Sequence, residues 1–498
     1  MSASRSCGVL LHPTSLPGKY GVGDLGPAAD DFVKFLAETG QTWWQMLPLG
    51  PVGPANSPYQ SPSSFAGNPL LISPERMFED GLVRRQDLRL SPGLPEGHAD
   101  FTAAGLAKER LFRAAFSRLP KRSETLDAFR ESHAAWLDDF TLYTVLKQAH
   151  EGRPWYDWEK ELARRDPLAL KKARAMHAEE TRFLAFVQYV FDMQWRRLRE
   201  SCRSAGIRLI GDIPIYVSED GADVWARPDL FLLGKKGKPQ VVAGVPPDDF
   251  SKTGQRWGNP LYDWEAHARD RYQWWVRRLK GTLDRVDLVR LDHFLGVLKF
   301  YKVPANRKTA RKYELAEGPG APFLEALRAA FPSMPIIAED LGLVDQKARD
   351  LRDAFGLPGM RVFQFLDFLP NGLGGEHLPD NYAENCVAYS GTHDNNTTIG
   401  WFESLSTDHK EQVANYLGSG HEGLNWAVIE RLYRSAAKLT IVPLQDVLGL
   451  DAKARMNVPG VVGDFWSWRF EPKALERAAR GRLASLTRAS GRGRVGSK

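Results

Sequence analysis

Cysteine is scarce: Cys7, Cys202 and Cys386 are the only three in 498 residues. Three cannot build a disulfide framework, and none belongs to a Cys-x-x-Cys pair of the kind that holds zinc or does redox work. Long apolar runs are missing too. None reaches the roughly 18–20 residues of a membrane-spanning helix, and the first apolar stretch stops at His12-Pro13, too short for a signal peptide. Phosphate-cradling glycines are absent. There is no Gly-x-Gly-x-x-Gly fingerprint, and Gly234-Lys235-Lys236-Gly237 lacks the earlier glycine and the Ser or Thr of a P-loop. These absences predict a soluble, cytoplasmic chain with no membrane partner and no cofactor.

Outside one segment the chain also lacks an excess of either charge. Its net charge is +6, and residues 471–498 alone carry eight Lys or Arg against two Glu. A nucleic-acid binder would place a basic face on its folded part, so nucleic acid is not an expected partner. Residues 478–498 read as a basic, largely solvated tail. Apolar residues at 43% and charged residues at 26% are globular proportions, which excludes disorder. Tryptophan and tyrosine are plentiful, 15 and 14. Such side chains build cores, and they also suit ligands with flat apolar faces and polar rims, such as sugars.

Eight short runs rich in Val, Ile and Leu punctuate the sequence, at 7–13, 42–50, 208–217, 286–294, 335–342, 360–365, 386–394 and 439–449. Continuous rather than alternating apolar runs suit strands buried on both faces of a parallel sheet. Helical spacing fills the intervals, for example at 27–39, 323–331 and 346–355. Eight such alternations predict an α/β fold, a single (β/α)₈ barrel over 1–498. The interval between the second and third runs is too long for a loop, and periodic stretches at 103–116, 126–149 and 180–198 predict a helical insertion over 75–200. The Gly/Pro-rich stretch 234–262 reads as a second insertion, a loop over the groove.

Three of the runs end in acids: Arg290-Leu291-Asp292-His293, Glu339-Asp340 and His393-Asp394. Barrel enzymes assemble their sites at the C-terminal ends of their strands, so these acids can converge. Two carboxyl groups of different pKa are what glycoside chemistry needs, one to attack the anomeric carbon and one to protonate the leaving oxygen. Arg290, two residues before Asp292, shares its side of a strand and would keep it ionised. A single strand-end acid more often caps the next helix; three together shift the balance towards catalysis. His293 and His393 are not spaced as metal ligands, so no metal is expected.

Several longer segments, SPYQSPSSFAGNPLLI (57–72), GDIPIYV (211–217), GVPPDDFSKTGQRWGNPLY (244–262), VRLDHFLG (289–296), AEDLG (338–342), SGTHDNNTT (390–398) and RMNVPG (455–460), run in order along the chain. Together they resemble the amylomaltases, or 4-α-glucanotransferases, of the α-amylase superfamily. The resemblance implies retaining transfer of α-1,4-glucan segments between maltooligosaccharides, starch or glycogen chains. It makes Asp292 the nucleophile, Glu339 the general acid/base and Asp394 the third carboxylate. It places Asp212, Arg290, His293 and His393 around the cleaved sugar, with Tyr59, Phe250 and Trp257 as aromatic contacts. Two positions depart from the family pattern: Asp249, where many members carry Tyr, and Phe465, where Asn is common. An α-glucan hydrolase would share every one of these acids, and a non-catalytic glucan-binding barrel is the alternative from another class.

Overall fold

The computed structural model describes residues 5–90, 97–247, 251–342, 344–418, 423–461, 463, 465–475 and 477–493. Each of the eight apolar runs supplies one strand of a single parallel sheet: β1 (Ser6–Leu10), β2 (Trp43–Gln45), β3 (Arg208–Ile213), β4 (Leu288–Leu291), β5 (Ile336–Ala338), β6 (Gly359–Val362), β7 (Cys386–Tyr389) and β8 (Leu439–Pro443). Neighbours follow chain order from β1 to β5 and from β6 through β8 back to β1. Between β5 and β6 the ladder is reduced to one bond, Ala338 N–H to the Pro358 carbonyl at 2.9 Å, which closes the (β/α)₈ barrel. The strands are almost wholly buried, which is why their sequences run apolar without alternating.

The helix after β1, α1 (Pro27–Glu38), opens with proline at its first turn and is followed by Gly40 at φ 74°. That pairing of residues at the two ends suits a helix start and stop. Between β2 and β3 lie four longer helices, α2 (Phe101–Phe116), α3 (Glu124–Ala149), α4 (Pro167–Met176) and α5 (Ala178–Ser204). Side chains of Asp100, Ser123 and Asp166 accept the first free amides of α2, α3 and α4. Phe183, Val187, Val190 and Leu198 form the buried stripe of α5.

Two glutamines of α5 grip the segment that follows β2. The Gln188 amide accepts from Gly67 N–H at 2.7 Å and donates to the Gly67 carbonyl at 3.0 Å. Gln194 does the same at Ser73, at 2.7 and 3.0 Å. A Cβ on Gly67 would meet the Phe191 ring at 2.1 Å, so only glycine allows this approach. Lys108 of α2, wholly buried, adds bonds to the carbonyls of Leu70 and Ile72 at 2.6 and 2.9 Å and an ion pair with Asp24 at 3.0 Å.

Two stretches differ from the sequence expectation. Within 234–262, Val241–Val245 and Gln255–Pro260 are strands of an antiparallel four-stranded sheet completed by Lys299–Pro304 and Glu314–Glu317. Val241–Val245 and Gln255–Pro260 pair with each other, but the two strands that complete the sheet lie further along the chain, beyond β4, where local composition does not announce them. The basic C-terminal segment is not wholly solvated. Arg477–Ala489 is a helix, Leu483 and Thr487 are buried, and Gln41 donates to Thr487 at 2.9 Å. Arg492, fully buried, donates to the carbonyls of Tyr433, Ser435 and Ser6 beside the starts of β1 and β8. Charge counting alone overlooks a guanidinium whose donors are met by carbonyls.

Candidate active site

The barrel's C-terminal mouth is organised around one guanidinium. Arg290, on β4 and buried, reaches Asp212 on β3 at 2.8 and 3.0 Å and Asp292 at 2.9 Å. Burial works against its charge, but Asp212 and Asp292 outweigh that and hold its pKa well above the ordinary value. Burial pushes Asp212 up, and Arg290 opposes this. Tyr59 donates to Asp212 at 2.8 Å. Burial, then the charge of Asp212, keeps its phenol protonated and so able to donate. The Tyr59 ring lies 5.0 Å from His393, nearly parallel at 14°, and 5.8 Å from Trp466.

The chain turns sharply after Asp292. His293 has φ 49°, in the left-handed region, where a non-glycine residue is uncommon. The turn aims the His293 backbone N–H at Glu339, which accepts it at 2.6 Å; the Leu341 N–H meets the other carboxyl oxygen at 3.0 Å. Burial pushes Glu339 up to about 8, aided by the Asp292 charge and opposed by Arg290. The His293 ring meets Trp257 edge-on at 4.9 Å. Burial lowers the pKa of both His293 and His393, leaving them neutral hydrogen-bonding groups.

Asp394 is the most open of the three acids, with its side chain 42% exposed. Its position is set from two sides: His393 lies 3.4 Å away, and Asn457 donates to its carboxylate at 2.6 Å. Arg455 donates to the Asp394 carbonyl at 2.6 Å. Sequence alone does not mark Arg455 and Asn457 as site residues, although their spacing of two on an extended segment puts both on one side. Tyr59, Asp212, Trp257, Arg290, Asp292, His293, Glu339, His393 and Asp394 thus form one linked cluster. Phe250, and Asp249 beside it, lie outside the described residues.

Asp340 has a different place from its neighbour. Adjacent residues at a strand end point to opposite sides; Glu339 faces the mouth and Asp340 faces the seam between β5 and β6. There it accepts from Met360 N–H at 2.7 Å and pairs with Arg352, and a Cβ on Gly359 would meet its carboxylate at 2.5 Å. It substitutes for the missing ladder bonds of the weakest junction in the barrel. Asp340→Asn should cost about 1–3 kcal/mol by leaving buried donors poorly met, and should lower kcat more than it raises KM by loosening the backbone under Glu339. Denaturant unfolding together with maltotriose kinetics checks both; an unchanged unfolding midpoint would rule out the seam role.

Residues 11–475 match the profile of a family described as 4-alpha-glucanotransferase. A 4-alpha-glucanotransferase from Thermus thermophilus is 44% identical over 505 aligned positions, covering 99% of this chain and 100% of the relative. The chloroplastic/amyloplastic 4-alpha-glucanotransferase of Solanum tuberosum is 40% identical, covering 93% of this chain and 82% of the relative. The structure of amylomaltase from Streptococcus agalactiae in complex with acarbose superposes with a TM-score of 0.95 at 35% identity, covering 98% and 100% of the two chains. With the same barrel, and with matches of this extent, the chain belongs to the 4-alpha-glucanotransferase family, enzymes that transfer glucan segments.

Proposed function

We propose that Asp292, Glu339 and Asp394 carry out retaining transfer between α-1,4-glucan chains at this mouth. The observation that carries the assignment is the contrast between two neighbouring acids: Asp292 bonded to Arg290, and Glu339 buried with its pKa pushed up to about 8. One group is held as a nucleophile and the other as a proton donor, the division of labour that glycoside cleavage requires. A carboxylate oxygen of Asp292 attacks the anomeric carbon as the C1–O4 bond breaks, and Glu339 gives its proton to that oxygen. The 4-hydroxyl of an acceptor chain then attacks the same carbon, returns its proton to Glu339 and displaces Asp292. Asp394, fixed by Asn457, holds sugar hydroxyls while charge builds at the ring. Asp212, Arg290 and His393 surround that sugar; Tyr59, donating to Asp212 and stacked on His393, closes one side.

Incubation with maltotriose tests this. Glucose plus a ladder of longer oligomers is the expected product set; glucose and maltose alone would mean that water, not sugar, takes the glycosyl group.

The acid sets the pH dependence. Glu339 must be protonated to donate, so kcat/KM should hold below about pH 8 and fall as pH rises through that value. A profile still rising at pH 9 would assign the proton donor elsewhere.

Among the described residues no group of three or more His, Cys, Asp or Glu side chains is arranged to hold a metal ion. Exhaustive EDTA treatment should therefore leave maltotriose disproportionation unchanged; loss restored by calcium would contradict this. Also among the described residues, no helix is long and apolar enough to cross a membrane.

A further inference from the structure

At the opposite end of the strands from the acids, a cavity of about 1170 Å³ opens between α3, α5, the helix Gln273–Leu283 and the starts of β3 and β4. Its size exceeds what a small-molecule site needs. Seven cationic and four acidic side chains line it. Three of the acids are already engaged: Asp192 with Arg196 at 2.8 Å, Asp284 with Lys280 at 2.7 Å and Asp287 with Arg199 at 3.4 Å. Four guanidiniums and one carboxylate remain: Glu200, which accepts from the Ser204 hydroxyl at 3.3 Å, and four arginines, of which Arg208 stacks on Trp43 at 3.9 Å. Arg203, Arg208, Arg277 and Arg285 have no carboxylate within ion-pair distance among the described residues. Arg285 is the most enclosed. It donates to the Phe65 carbonyl at 2.6 Å, and burial pulls it down to about 10. The wall beside these groups is aromatic, with Trp136 stacked on Phe65 at 6.4 Å and 15°.

We propose that this cavity is a second ligand site, distinct from the catalytic mouth, for a phosphate monoester borne on a sugar. Forked guanidinium donors without carboxylate partners match a phosphate dianion in charge and geometry. An aromatic wall offers a face to a sugar ring, and the choice of sugar as the carrier rests on the glucan-transfer function proposed above. The same chemistry comes from two sources, a free hexose phosphate or a phosphate ester on a glucan chain.

Calorimetric titration of the full chain with glucose 6-phosphate, glucose and inorganic phosphate tests the site. Saturable binding of glucose 6-phosphate is expected, with weaker binding of inorganic phosphate and none of glucose outside the catalytic mouth when that mouth is filled with acarbose. The double variant Arg203→Ala/Arg277→Ala should bind glucose 6-phosphate about tenfold or more weakly, since two charge-assisted contacts are lost. Its maltotriose disproportionation should be unchanged. Gel retardation by phosphorylated and by enzymatically dephosphorylated dextrin separates the sources: selective retention by the phosphorylated polymer, lost in the double variant, assigns the chain-borne ester. No saturable binding of either phosphorylated probe, equal affinity in the double variant, or inorganic phosphate binding as tightly as the sugar phosphate would overturn the proposal. Loss of disproportionation in the wild type would refute the transfer function instead, and leave the binding result standing.

Discussion

Asp292→Ala should lower glucan transfer by about 10⁴-fold or more, because covalent catalysis splits one hard displacement into two easier ones and no other group can replace the nucleophile. The fold should survive. Arg290 keeps its two contacts with Asp212 when Asp292 is removed, so its buried charge is not orphaned. The Asp292 backbone N–H still bonds the Ile213 carbonyl at 2.9 Å, which holds β4 against β3. Circular dichroism and thermal unfolding should overlay those of the wild type while maltotriose turnover disappears. Retention of more than a few per cent of activity in a clean preparation would move the nucleophile elsewhere.

Glu339→Gln should separate the two halves of the reaction. With an α-glycosyl fluoride as donor, departure of fluoride needs little protonation, so Asp292 can still be glycosylated. Release to an acceptor hydroxyl needs a base, and glutamine is none. The glycosyl-enzyme should accumulate, and intact mass should rise by the sugar residue, mapped by peptide digestion to Asp292. Glutamine keeps a single acceptor oxygen, enough for the N–H of His293 or of Leu341 but not both, so thermal unfolding of the variant should accompany the mass measurement to show that the fold is retained. An unmodified mass, under conditions where the wild type consumes the same donor, would count against both assignments.

The barrel was legible because its strands are buried on both faces and their apolar runs stop at recognisable acids. The three acids were legible for the same reason: each lies just beyond a strand end. What the chain does sideways was not. Asn457 reaches Asp394 across 63 positions of sequence, and Asp340 joins β5 to the start of β6; neither contact has a local periodicity to announce it. Asp340 looked like a second strand-end acid, and only the unpaired seam explains why it is there. The four-stranded sheet was hidden because its strand pairs are joined through β4 and the turn that carries Asp292. Arg492 was hidden because a basic run normally marks solvent, whereas carbonyls of Tyr433, Ser435 and Ser6 receive this one.

The grip of Gln188 and Gln194 on Gly67 and Ser73 bears on how far such an enzyme can be trimmed. Tyr59 sits only eight positions before Gly67, on the same segment after β2, and that segment takes much of its shape from α2 and α5 rather than from the barrel. The helices α2 and α5 thus brace the segment that leads from Tyr59 away from the mouth. An engineer who excised them to obtain a minimal barrel would keep all three acids, and the Asp212, His393 and Trp466 against which Tyr59 rests, yet lose the brace on the segment that delivers Tyr59 to them; a family member with a remodelled insertion would be expected to differ in which sugars it accepts before it differs in how it cuts them.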